Sequence, residues 1–74
     1  MQIKTTAGKV NKALEKMNEE GEVEFDGNDG SFDIKGVEGR FNWNGEDTLT
    51  IIIDDKPFFA SNSMIENAIN KFFK

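Results

Sequence analysis

The 74-residue chain contains no cysteine, no histidine and no tyrosine, and only one proline. Without cysteine there is no disulfide, no thiol nucleophile and no thiolate metal site. Without histidine the commonest general base and the commonest metal ligand are both missing. No stretch approaches the roughly 20 apolar residues that span a bilayer. The opening Met1-Gln2-Ile3-Lys4 has no apolar run like that of a signal peptide. A cytoplasmic protein without a transmembrane segment is therefore expected.

The large apolar groups are seven phenylalanines and one tryptophan. In a chain this short they carry most of the available burial. The length allows one domain over residues 1–74 and one core, burying roughly 60% of the unfolded surface.

Charge is unevenly spread behind the net value of −5. Residues 1–18 set Lys4, Lys9, Lys12 and Lys16 against Glu15 alone, whereas residues 19–55 set twelve acids against Lys35 and Arg40. The acidic middle argues against binding a phosphate backbone, which needs Lys and Arg to displace counterions. No direct nucleic-acid binding is expected.

Residues 6–19 read as a helix. Ala7, Val10, Leu14 and Met17 recur at three- and four-residue spacing, Thr5 or Thr6 can cap the start, and Gly21 suits a left-handed C-terminal cap. The period then changes to two. Val23 and Phe25 alternate with acids, Phe32 and Ile34 follow a Gly27-Asn28-Asp29-Gly30 turn, and Phe41 and Trp43 follow a Gly36-Val37-Glu38-Gly39 reversal. Asn44-Gly45 predicts a type I′ hairpin into a last strand, Thr48 to Asp54. Pro57 ends the sheet. Ser63 and Glu66 then form a capping box before a stripe of Ile65, Ala68, Ile69, Phe72 and Phe73. The expected fold is α+β in the order α-β-β-β-β-α: a four-stranded antiparallel meander with two helices packed on one face.

Features that resemble chemistry fail on context. The segment Asp26 to Asp33 has the composition of a calcium loop, but glycine and glutamate are missing from the diagnostic positions and no helix flanks it. It reads as a hairpin turn. Glu22, Glu24 and Asp26 share a solvated strand face, which suits neither a glycosidase-like pair nor a general base. The sheet aromatics alternate with acids and form the core face instead of a base-stacking platform. No catalytic, cofactor-binding or metal-binding residue is predicted, and the chain is not expected to be an enzyme.

Ile52 falls on the polar face of the last strand, with Phe58 and Phe59 just beyond it. An apolar cluster of this kind marks an interaction surface. Lys9, Lys12 and Lys16 form a basic ridge at helical spacing, a second candidate contact for an anionic partner or surface.

The segment Gly36-Val37-Glu38-Gly39-Arg40-Phe41, continuing to Ile65, Ile69 and Phe72, resembles the polyhydroxyalkanoic-acid-system family, small bacterial proteins associated with polyester granules. The likeness covers roughly residues 22–73. It implies alternating strands closed by an amphipathic helix, and it brings no catalytic residues.

The leading expectation is a non-enzymatic binding or assembly module, meeting an unknown protein partner or itself as a homodimer. A granule- or surface-associated protein docking through Phe58, Phe59, Phe72 and Phe73 is an alternative. A third reading is an acidic decoy of nucleic acid carried by Glu22, Glu24, Asp26, Asp33, Asp54 and Asp55.

Overall fold

In the computed structural model, which describes residues 1–73, a five-stranded antiparallel sheet carries two helices. In chain order the elements are β1 (Gln2–Lys4), α1 (Ala7–Glu20), β2 (Glu22–Asp26), β3 (Asp29–Ile34), β4 (Val37–Trp43), β5 (Thr48–Asp55) and α2 (Asn62–Lys71). The fold is α+β. Strands β2 to β5 form the expected meander.

Strand β1 is an addition to the expected four. It pairs with β5, setting Ile3 opposite Leu49, and gives the strand order β1-β5-β4-β3-β2. Three residues are too few to display an alternating pattern, so pairing alone defines this strand. Its ladder continues at both ends: the Ile51 amide donates to the Met1 carbonyl at 2.8 Å, and the Thr5 amide donates to Asp47 O at 2.8 Å.

Strands β1 and β2 lie at opposite edges of the sheet, and α1 crosses between them. Its 14 residues give a length of about 21 Å. Five strands span roughly 19 Å at their usual spacing. The helix length thus matches the width it must cover. Thr6 caps the start, its hydroxyl accepting from the Lys9 amide at 3.3 Å.

The strand register puts Val23, Phe32, Ile34, Phe41, Trp43, Leu49, Ile51 and Ile53 on one face, as the alternation predicts. Phe32, Phe41, Leu49 and Ile51 of this face form a single buried cluster with Val10, Leu14 and Met17 of α1 and Ile65 and Ile69 of α2, and Val23, Ile34, Trp43 and Ile53 pack half-buried against it. Both helices therefore cover the same face. The opposite face is polar, apart from Ile52.

Several local expectations differ from the structure. Gly30 and Gly39 lie inside strands, opposite Phe41 and Phe32 respectively, while the chain reverses at Gly27-Asn28 and Lys35-Gly36. Gly27 alone has positive φ in the first turn, as a type II′ turn requires; Lys35 and Gly36 both have it in the second, as in type I′. Asn44-Gly45 does not form a two-residue hairpin. The Asn44 side chain instead accepts from the amides of Glu46, Asp47 and Thr48 at 2.8–3.0 Å, organising a four-residue loop.

Gly21 is extended (φ −168°), not left-handed; it closes α1 where the chain passes against Asp33 and Ile34. The cap of α2 is Ser61, accepting from the Met64 amide at 3.2 Å, and not Ser63. Ala68 is exposed on the flank of α2, outside the buried stripe. Phe25, expected in the core, is 57% exposed because β2 is an edge strand.

Candidate interaction surface

Beyond β5 the chain turns over Pro57-Phe58-Phe59-Ala60, closed by the Ala60 amide donating to Pro57 O at 3.0 Å. The two central residues of this turn are phenylalanines. Phe58 is 99% exposed and Phe59 72%, and their rings meet edge to face with centroids 5.7 Å apart. Pro57 rests beside Gly36 of the β3–β4 turn. These two rings on a hydrogen-bonded turn are the most exposed large apolar side chains among the described residues.

Next to the turn, α1 and α2 leave a groove of about 620 Å³. Phe32, Ile34 and Val37 line it from the sheet, Met17 from α1, and Ala60, Met64 and Ala68 from the second helix and its approach. Lys16, Lys35 and Lys71 stand at its margin with Glu20, which pairs with Lys35 at 3.7 Å. The volume lies within the range of ligand sites, but among the described residues no polar side chain is buried to orient a small ligand. The groove offers apolar contact with a charged rim.

The sequence pattern overlooked this groove, although a signal for it exists. Met64 and Ala68 sit four apart, one residue before Ile65 and Ile69, so α2 has two adjacent apolar stripes. Only one is buried in the core. The second stripe forms the groove wall.

The candidate residues separate in space. Ile52 lies on the outer sheet face at 49% exposure, opposite Arg40 and flanked by Thr50 and Asp54. It is a single apolar residue in a polar field, whereas Phe58 and Phe59 belong to the connection leading to the helical layer. Lys9, Lys12 and Lys16 are all exposed on α1, but only Lys16 reaches the groove. Phe72 and Phe73 are half-buried against the core, leaving Phe58 and Phe59 as the free aromatics of the expected four.

The outer face gathers the acids into order. Glu22, Asp33 and Glu38 stand directly opposite one another across β2, β3 and β4. Arg40 is the basic counterweight, donating from Nε and an Nη to Asp54 at 2.8 Å each. This paired hydrogen bond holds the Asp54 carboxyl below the usual carboxylate range and raises the Arg40 guanidinium. At the far end of the sheet, hydrogen bonds from Asn44 and Thr48, with the nearby Lys4 charge, likewise depress Asp47. Asp29 accepts from Asn42 at 2.6 Å. No cluster of three or more candidate metal ligands occurs among the described residues.

Between α1 and the rings of Phe25, Phe41 and Trp43 lies a small hollow of about 130 Å³. That is well below the roughly 300 Å³ at which small-molecule sites begin. Among the described residues, no helix is long and apolar enough to cross a membrane. No family model, no curated protein and no solved structure matches the chain.

Proposed function

We propose that the chain is a non-catalytic binding or assembly module that meets a protein partner through the Phe58-Phe59 turn and the groove beside it. The observation carrying this reading is the exposure of both rings on a hydrogen-bonded turn. Burying a side chain of this size stabilises by about 1.5–3 kcal/mol, and here that burial is left unused in the single chain. Exposed aromatic anchors beside an apolar hollow are the usual make-up of an interface centre. The test is affinity capture from the native host, repeated with Phe58→Ser and Phe59→Ser together. Loss of a captured protein supports the reading; unchanged capture redirects attention to the α1 lysines or the acidic face.

A second reading, an acidic decoy for a nucleic-acid-binding protein, is favoured by the aligned carboxylates of Glu22, Asp33 and Glu38. Glu24, Asp26 and Asp54 extend that surface. Binding to a basic partner that weakens steeply with salt and with Asp33→Asn would support it. Docking to a polyester-granule surface now relies on two free phenylalanines where four were expected, and gains no further support.

A further inference from the structure

We infer that the partner of the Phe58-Phe59 turn is a second copy of this chain, each copy seating its two rings in the groove of the other. This deepens the proposed function and rests on it. The knob and the hole have the same apolar chemistry and are contiguous, since Ala60 and Met64, one and five residues after Phe59, line the groove. Phe58 nonetheless stays out of the groove of its own chain, being 99% exposed. The turn leads directly into the groove wall, yet neither ring lines that hollow. In a two-fold pair, each copy would offer its rings to the hollow of the other and receive the other's rings in its own. Adjacency of complementary features on one patch is what an isologous interface requires.

The size of the contact fits this assignment. Each phenylalanine buries roughly 150–200 Å² when covered, so four rings supply about 600–800 Å². The groove walls that receive them bring the total to roughly 1,000 Å², the size of a weak or transient interface. A micromolar dimer is the expected result, and a groove of about 620 Å³ is roomy enough for two rings. The rim sets Lys16, Lys35 and Lys71 against Glu20, which pairs with Lys35, so repulsion between the two like rims should fade as salt rises.

The experiment is sedimentation velocity of the full chain over a concentration series, with two variants. One carries Phe58→Ser and Phe59→Ser; the other carries Ala68→Arg, which obstructs the groove from an exposed helix position. Both sites are exposed, and circular dichroism checks that each variant keeps the wild-type fold. The wild type should dimerise at micromolar concentration, and each variant alone should weaken dimerisation at least about 30-fold. Mixing the two variants should restore a weaker dimer, because one intact pair of rings then meets one intact groove. A wild type that stays monomeric throughout overturns the inference. So does a dimer that either variant leaves unchanged, or a mixture no better than its components. If the chain is monomeric yet captures a host protein through Phe58 and Phe59, the second copy is excluded while the proposed function stands. If neither occurs, both fail.

Discussion

The ring of Phe32 on β3 occupies the space that a side chain on Gly39 of β4 would fill. An ideal Cβ at Gly39 would lie 2.5 Å from Phe32 Cζ and 2.7 Å from the Ile52 carbonyl oxygen. The relationship is repeated in reverse one pair along, where the Phe41 ring covers Gly30. Two phenylalanines thus pack across two glycines on the inner face, each glycine being the direct cross-strand partner of the ring. The glycines admit the bulk of the rings, and the rings cover a backbone that glycine leaves bare.

Replacing Gly39 with Ala should therefore destabilise the fold by about 1–3 kcal/mol, because the obstructing Ile52 carbonyl is backbone and cannot turn aside. Gly8→Ala provides the contrast. A Cβ there meets nothing within 4 Å, and the residue is helical, so stability should rise by about 0.4–1 kcal/mol. Urea denaturation of the two variants checks the opposite signs.

The two serines before α2 should behave differently. Ser61→Ala removes the acceptor for the Met64 amide and should cost about 0.5–2 kcal/mol. Ser63→Ala removes no described hydrogen bond and should leave stability unchanged or slightly raised. Thermal melts followed by circular dichroism would distinguish them. A larger loss at Ser63 would place the start of the helix wrongly.

Asp33 stands between Glu22 and Glu38 in a row of like charges. Direct cross-strand repulsion is destabilising, and neutralising the middle member relieves both pairs at once. Asp33→Asn should raise the melting temperature by about 2–4 °C at low ionic strength. The gain should shrink as salt screens the row. A gain independent of salt would point to a cause other than charge.

Asp47 and Asp54 both ionise more readily than an ordinary aspartate, through the hydrogen bonds from Asn44 and Arg40 respectively. A carboxyl depressed in the folded state stabilises above its unfolded value near pH 3.9 and loses that contribution as the pH falls through its lower folded value. The wild type should lose more stability below about pH 4 than a variant carrying Asp47→Asn and Asp54→Asn. Both groups are exposed, so the difference should be small and should diminish with salt. Urea midpoints across a pH series would measure it.

Alternation of apolar and polar residues settled much of this protein before any tertiary contact is considered. Val23, Phe32, Ile34, Phe41, Trp43, Leu49, Ile51 and Ile53 were readable as one face because a strand sends alternate side chains to opposite sides. Helical spacing marked Val10, Leu14, Met17, Ile65 and Ile69 as its cover in the same way. The absences of cysteine and histidine also act at this level, since they remove chemistries whatever the fold.

Long-range pairing decided the rest. Strand β1 exists because Gln2–Lys4 finds an open edge on β5, and three residues carry no period of their own. Gly30 and Gly39 entered strands because Phe41 and Phe32 lie across them, although glycine by itself signals a turn. Asn44 is the local exception, its side chain accepting from three amides two to four residues ahead instead of entering a type I′ turn. The groove, too, arises only when α2 settles beside α1 with one of its two apolar stripes unburied. Local pattern selects a face for each element, whereas edges, close approaches and hollows depend on which elements become neighbours.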